Sequence, residues 1–247
     1  MIIGPRYGTD SWRSFRRGLV TASRFGDVLT EPRSKAAKEA GEMSDTARSY
    51  LMELVAATIT GQDKVGGKSA AMERGIDKEA DAINAYCQER FLFPEDWSEG
   101  CILRLDDTLI AATPDAFIET DTEGPGILEV KCPDSMRHLD TFFSRQVPEQ
   151  YHEQVLGQLE VSGRQWCDFI SYDDRFPKAM QLVIIRVYPS PQFGAESMPK
   201  IAHFADLVQQ RVDDVRAFLA GTSPHAAAAV VSAMTSTEDP ANLFAGL

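Results

Sequence analysis

Between positions 127 and 132 the chain reads Ile-Leu-Glu-Val-Lys-Cys. Alternation along a strand sends Glu129 and Lys131 to one face and Leu128 and Val130 to the other. The second face is core. The first then holds an acid and a base side by side on an otherwise apolar strand. Asp115, which follows Pro114 at the junction of the preceding hairpin, brings a third charge beside them. Such groups are costly to bury unless they pair or bind a metal. A chain carrying this segment has to build a sheet around a charged spot.

The flanking segments read as the rest of that sheet. Short apolar stretches at 101–105, 109–112 and 116–119 are separated by Asp106-Asp107 and by Thr113-Pro114-Asp115, and a Gly/Pro-rich turn over 120–126 leads into 127–132. This pattern predicts an antiparallel meander. Further strands are expected over 166–172 and 181–188, the second containing the unbroken run Leu182-Val183-Ile184-Ile185. Helices are expected over 21–30, capped by Thr21 and stopped by Pro32; from Ser44 to Gly61; over 70–91; and from Pro148 through Val161, closed by Gly163. A last long helix over 198–220 carries Ile201, Phe204, Leu207, Val208, Val212, Val215 and Phe218 as its apolar stripe. Residues 31–43 read as an exposed polar arm. The order of elements predicts an α/β (α+β) fold, a single domain over 1–221 with a central mixed β-sheet flanked by helices. The Ala/Ser/Thr-rich segment 222–247 is expected to be a tail, mobile or docked on a partner.

Size and charge narrow the field further. A length of 247 residues suits one large domain or a tight pair, and 43% hydrophobic with 25% charged residues excludes wholesale disorder. Lys and Arg total 25 against 37 Asp and Glu, a net charge of −12. That balance argues against coating nucleic acid through bulk charge and leaves room for one local basic site. No apolar run approaches the ~20 residues of a membrane span, and the first ten residues lack an apolar signal region, so a cytoplasmic protein is expected. Cys87, Cys101, Cys132 and Cys167 form no C-x-x-C pair and read as small core residues. His138, His152, His203 and His225 read as structural or exposed. Gly66-Gly67-Lys68-Ser69 ends like a phosphate-binding loop, but Gln62 stands where that motif needs glycine and a helix precedes it, so the motif is rejected.

Two patterns carry chemistry. Asp115 and Glu129 can converge on Mg²⁺ together with the main-chain oxygen of Val130, and Lys131 can orient or deprotonate a water while stabilising charge on an attacked phosphate. Hard oxygen ligands without histidine suit Mg²⁺ or Mn²⁺ rather than zinc. The plainer alternative is a solvent-facing Glu-x-Lys pair beside a simple Pro-Asp turn. The second pattern is Thr21-Ala22-Ser23, read as opening a helix whose free N–H groups favour a phosphate, with Arg16 just before it as a two-point clamp. Arg33 lies just beyond that helix and Arg137 six residues after Lys131. Trp12 reads more readily as core than as a base-stacking wedge.

Pro114-Asp115, Glu129 and Lys131 resemble the PD-(D/E)xK nuclease signature, which implies a restriction-endonuclease-like domain. More specifically the chain resembles the phage lambda exonuclease group, the YqaJ-type viral recombinases. Further stretches match in order: Trp12, Arg16, Gly18 and Thr21-Ala22-Ser23; Gly75 with Glu79; Glu129-Val130-Lys131-Cys132-Pro133; and Tyr151 with Gln154-Val155. The resemblance runs from about Gly8 to Asp173, and more weakly through the last long helix. It implies a Mg²⁺-dependent 5′-to-3′ exonuclease on linear double-stranded DNA, leaving 3′ single-stranded overhangs for phage-type homologous recombination. It also implies two-metal hydrolysis with two Mg²⁺ (or Mn²⁺) per site, a ring-shaped homotrimer, a single-strand annealing protein as partner, and a bacterial host or prophage as source. By position, Asp115 would bridge the metals, Glu129 and the Val130 main-chain oxygen would ligate, and Glu79 would support the metal site. Lys131 would serve the attacking water, while Gln154 and Tyr151 would line the site. Arg16, Thr21, Ser23, Arg33, Thr113 and Arg137 fall where the family binds the 5′-phosphate and DNA. Thr113 stands where a serine is familiar and keeps the hydroxyl; the 222–247 tail has no counterpart. Two other readings stand: a structure-specific endonuclease, which the Arg16 pattern disfavours because it suits an end, and a catalytically inactive DNA-binding assembly module, which the presence of Glu79, Asp115, Glu129 and Lys131 disfavours.

Overall fold

The computed structural model describes residues 1–63 and 70–221. The rejected phosphate-loop segment 66–69 and the 222–247 tail lie outside the described residues. Strands are β1 (Ile2–Arg6), β2 (Val20–Thr21), β3 (Trp97–Glu99), β4 (Cys101–Arg104), β5 (Ile110–Ala112), β6 (Ala116–Thr120), β7 (Gly124–Lys131), β8 (Trp166–Tyr172) and β9 (Leu182–Val187). Helices are α1 (Asp10–Arg16), α2 (Phe25–Leu29), α3 (Lys35–Glu39), α4 (Asp45–Thr60), α5 (Ala70–Glu89), α6 (Ser135–Ser144), α7 (His152–Ser162) and α8 (Met198–Leu219). The strands form two mixed sheets, one ordered β1-β4-β5-β2 and the other β3-β6-β7-β8-β9. In the larger sheet β7 and β8 run parallel while their outer neighbours run antiparallel.

The expected single meander is two hairpins in two sheets. β4 pairs with β5 in the small sheet and β6 with β7 in the large one. The chain changes sheet at Thr113-Pro114-Asp115, where proline has no N–H to continue a ladder. Gly100 makes that crossing possible: a Cβ there would sit 1.7 Å from the Pro114 carbonyl oxygen. Its N–H donates to the Asp115 carbonyl at 2.9 Å.

The expected helix over 21–30 is also broken up. Val20 and Thr21 pair in parallel with Ile110 and Ala111, one 3-10 turn spans Ala22–Arg24, and only then does α2 begin. The Thr21 side chain caps nothing, and its N–H donates to the Tyr50 hydroxyl at 3.2 Å. Tertiary pairing overrides the local capping signal here. By contrast α4 forms as expected. Ser44 Oγ accepts from the Ala47 N–H at 3.1 Å and Gly61 closes the helix at φ +69°. The helix expected from Pro148 begins with a 3-10 turn and ends at Gly163, φ +64°. Within the arm 31–43 sits the short, exposed α3. Elements without an expectation are β1, α1, β3 and α6. Asp134 caps α6 by accepting from the Met136 and Arg137 N–H groups. The buried positions of α6 are His138 and Thr141, while Met136 and Phe143 are exposed, so its apolar residues do not mark the side that packs.

The large sheet is covered on both faces. One face, with Ile127, Cys167 and Phe169, packs with Leu51 and Leu54 of α4, Val155 and Leu159 of α7, and Ile201, Phe204 and Val208 of α8. The other, with Leu128, Val130 and Ile170, packs under Ala82, Ile83 and Tyr86 of α5. This confirms the alternation read from 127–132. Gly126 clears the space for the Trp166 ring, whose atoms would come within 2.4 Å of a Cβ. Among the described residues no helix is long and apolar enough to cross a membrane.

Candidate active site

Glu129 sits mid-sheet on β7, almost wholly buried at 1% exposure. Three donors hold it. Lys131 Nζ pairs with Oε1, which also accepts from Gln154 Nε2, and Oε2 accepts from Gln158 Nε2 at 2.6 Å. Gln154 and Gln158 stand one turn apart on α7, so both amides reach one carboxylate. Gln158 had no expectation attached; its four-residue spacing from Gln154 was the available signal. Its Nε2 also donates to the Thr113 carbonyl at 3.3 Å, and its buried Oε1 has no partner.

Asp115 arrives from the sheet crossing. Its N–H donates to the Leu128 carbonyl at 3.0 Å and its Oδ2 accepts the Val130 N–H at 2.6 Å. Burial, with Glu129 next, pushes its carboxyl well above the usual range. Burial and Glu129 likewise raise Glu79, which α5 carries to the same place. For Lys131 burial pulls the ammonium down, but Glu129 and Asp115 together outweigh it and the net shift is upward. Lys131 Nζ thus faces the acidic cluster from the pocket wall, where it can orient water and stabilise anionic charge. The Tyr151 ring lies 5.0 Å from its Nζ.

Beside this acidic centre lies a cationic and hydroxylic one. Arg16 Nη2 donates to Thr21 Oγ1 at 3.0 Å, and Thr21 Oγ1 and Ser23 Oγ are 3.3 Å apart. Trp12 Nε1 donates to Thr113 Oγ1 at 3.3 Å. The Arg16 guanidinium lies 5.5 Å from the Trp12 ring, and Tyr7 packs edge-on to that ring at 4.9 Å and 77°. Trp12 is thus both packed against Leu19, Ile102 and Ala111 and part of the pocket wall. With one 3-10 turn and the five-residue α2 behind Thr21, a guanidinium and hydroxyls replace the helix N-terminus expected there.

One cavity of about 280 Å³ collects these groups: Arg16, Thr21, Ser23 and Thr113 on one side, and Glu79, Asp115, Glu129, Val130, Lys131 and Gln154 on the other. Tyr7 and Gln158 complete its wall. Gly157 fits the two sides together, since a Cβ there would meet Phe25 at 2.3 Å. Tyr151 and Arg137 line a neighbouring cavity of about 620 Å³ that shares Lys131. Arg137 is exposed, with its Nε 3.5 Å from Asp134, and is not brought to Arg16. Arg33 is exposed in the bend before α3 and lines neither cavity. Cys132 packs on the α5 side, its thiol pushed up to about 12 by burial. His138 is fully buried between Ser171 Oγ and the Met180 carbonyl, a structural role as expected.

The donor chemistry fits a hard divalent cation. Three carboxylates and the Val130 backbone face one pocket, no histidine lines it, and Gln158 Oε1 is a buried acceptor without a donor. Among the described residues no three Asp, Glu, His or Cys side chains yet surround a common point. Glu129 is turned to Lys131 and the two amides, and Asp115 to the Val130 N–H.

The profile of the YqaJ-like viral recombinase domain matches residues 11–165. The chain belongs to this family. Among solved structures it is similar to an alkaline exonuclease, LHK-Exo, from Laribacter hongkongensis. The identity is 29% and the TM-score 0.73, over 87% of this chain and 100% of that one. The same enzyme in complex with dAMP aligns at 28% identity and TM-score 0.73, with the same coverage. A phage-related exonuclease from Haemophilus somnus 129PT shares the fold at 19% identity and TM-score 0.61, over 81% of this chain and 96% of that one. No curated protein matches. The matched stretch spans the pocket residues from Trp12 to Gln158 and leaves out Tyr7. Family membership and the likeness to an alkaline exonuclease support a DNA exonuclease role for the chain.

Proposed function

We propose that the chain is a Mg²⁺-dependent exonuclease that degrades linear duplex DNA from the 5′ end and leaves 3′ single strands for recombination. The observation that carries this reading is the single pocket in which an Arg16–Thr21–Ser23 cradle adjoins Glu79, Asp115, Glu129 and Lys131. A cradle of one guanidinium and two hydroxyls suits a terminal phosphate, which sets polarity by anchoring the 5′ end. Such local recognition also lets a chain of net charge −12 engage DNA. Two Mg²⁺, or Mn²⁺, held by Asp115, Glu129, the Val130 carbonyl and Glu79 would polarise the scissile phosphate and lower the pKa of the attacking water. Lys131 orients that water and balances the charge that builds on the phosphate oxygens. Gln154 and Gln158 keep Glu129 aimed, and Tyr151 walls the Lys131 ammonium. Water oxygen bonds to phosphorus, the bond to the 3′-oxygen breaks, and the proton passes to that leaving oxygen. A 5′-mononucleotide departs, in keeping with the dAMP bound by the Laribacter enzyme. The family resemblance adds a homotrimeric ring around the duplex and a single-strand annealing partner to this proposal.

The test is a linear duplex labelled on each strand separately, with 5′-phosphate or 5′-hydroxyl ends, with and without Mg²⁺. Metal-dependent loss of the 5′-phosphorylated strand from its 5′ end, abolished in Lys131→Ala, is expected. Cleavage of covalently closed circles would replace this reading with an endonuclease. Intact binding with no metal-dependent cleavage of any DNA would replace it with a binding module.

A further inference from the structure

Helix α5 brings Glu79 to the pocket, so its position along the large sheet sets the reach of that carboxylate. Two polar contacts outside the pocket tie the helix to opposite ends of β8. Near its start, Arg74 Nη2 donates to Asp173 Oδ1 at 3.0 Å and to Asp174 Oδ1 at 2.8 Å. Its Nη1 reaches the Cys132 and Pro133 carbonyls, directly after Lys131, at 3.5 and 3.4 Å. Lys78 adds a link to Asp174 at 2.7 Å. Near the end of the helix, the Tyr86 hydroxyl donates to Asp168 Oδ2 at 2.7 Å. Arg186 holds the same carboxylate from β9.

The spacing of these contacts is what matters. From Arg74 to Tyr86 is twelve residues of helix, about 18 Å. From Asp168 to Asp173 is five residues of extended chain, about 17 Å. The two spans agree to within one residue's rise, so both contacts close in the same register. A slip of one residue would move α5 by about 1.5 Å, turn it by about 100° and open both. Glu79 lies between them, two turns before Tyr86 on the helix face that also carries Ala82 and Ile83, both buried. Asp168 and Asp173 are almost completely buried. Buried ion pairs are a weak source of stability compared with apolar packing, and what they add best is a unique arrangement.

We infer that Arg74 with Asp173, and Tyr86 with Asp168, are positioning residues for the pocket: together they set the axial register of α5 and so the reach of Glu79 toward Asp115 and Glu129. This rests on the proposed function only in giving Glu79 to the metal site.

The test compares Tyr86→Phe and Arg74→Lys in the full chain. The first keeps the ring and leaves Asp168 paired with Arg186; the second keeps the charge but cannot fork between two carboxylates. Each is assayed for Mn²⁺ affinity by the resonance signal of free Mn²⁺, for rate and KM on phosphorylated DNA ends, and for thermal midpoint. Groups that orient metal ligands typically contribute about 10–100-fold to metal affinity or rate. The expected result is a loss of about tenfold in Mn²⁺ affinity and in kcat with KM for ends unchanged. In a Glu79→Gln background the same substitutions should change neither affinity nor rate further while still lowering the thermal midpoint. Unchanged Mn²⁺ affinity in both variants would overturn the inference, and so would an equal loss in the Glu79→Gln background. A wild type that cleaves no DNA overturns the exonuclease reading alone, because the Mn²⁺ titration still decides the register.

Discussion

Gly157→Ala sets two physical effects of opposite sign against each other. Gly157 lies inside α7, where alanine gains about 1 kcal/mol of helix propensity over glycine. A propensity argument alone makes the substitution stabilising. The added Cβ, however, would stand 2.3 Å from Phe25 Cδ2 and 2.5 Å from Cε2. Carbon atoms rest at about 3.5–4.0 Å, so the shortfall is more than about 1 Å. Phe25 is fully buried and cannot turn aside. Overpacking of this kind costs about 1–3 kcal/mol, and a rigid, enclosed ring places it at the upper end. The net expectation is destabilisation by about 2 kcal/mol. For a protein of this size that lowers the thermal midpoint by about 4–8 °C. Calorimetry measures the midpoint, and the double variant with Phe25→Leu isolates the cause. With the ring removed, alanine at 157 should become neutral or favourable, a coupling that contacting residues show and distant ones do not. Because α7 also carries Gln154 and Gln158, the single variant should lose preference for 5′-phosphorylated ends as the Thr21–Ser23 side is pushed away. A midpoint equal to or above the wild type would refute the packing argument.

Two shorter expectations follow from the polar network. Burial pushes the Asp173 carboxyl up, yet Arg175 and Ser135 outweigh it and hold it well below its ordinary value of 3.8. A folded pKa below the unfolded one stabilises fully above about pH 4 and is lost as pH falls through the folded pKa. Asp173→Asn should therefore cost about 3 kcal/mol at pH 7 and progressively less below pH 4. Urea unfolding of both proteins at pH 7 and pH 3 reads this, and an equal gap at the two would disprove it. Gln158→Leu removes one of the donors on Glu129 without adding charge, so strand degradation should slow about tenfold with DNA binding unchanged. A wild-type rate in single-turnover assays would show that Gln154 and Lys131 hold Glu129 without help.

The chemistry-bearing strand was legible because its signal is local. Period-two alternation around Glu129 and Lys131 is a property of six consecutive residues, and the packing of Leu128 and Val130 under α5 follows it. Helices α4 and α8 were legible for the same reason, one through Ser44 and Gly61 as caps and the other through its stripe. The partition into two sheets was not. Residues 101–120 carry uniform strand-and-turn signals, and whether consecutive strands pair depends on how Gly100 meets the Pro114 carbonyl. Thr21 looked like a helix cap but is a strand residue, since it pairs with Ala111, ninety positions away. Among the arginines, spacing along the chain could not separate Arg16, which reaches the pocket, from Arg33 and Arg137, which do not.

The sequence by itself determined the alternating charged strand, the acids Glu79, Asp115 and Glu129, the family, and the ends of α4 and α8 with the close of α7 at Gly163, because each rests on residue identity or on neighbours within a turn. Only the tertiary structure decided which groups share the 280 Å³ pocket, that Gln158 and Tyr7 belong to it, and that two contacts twelve residues apart on α5 match two acids five residues apart at the two ends of β8. Those facts depend on distances between segments remote in sequence. Such distances are set by packing of whole elements, where one glycine or one buried ring settles how closely two backbones approach.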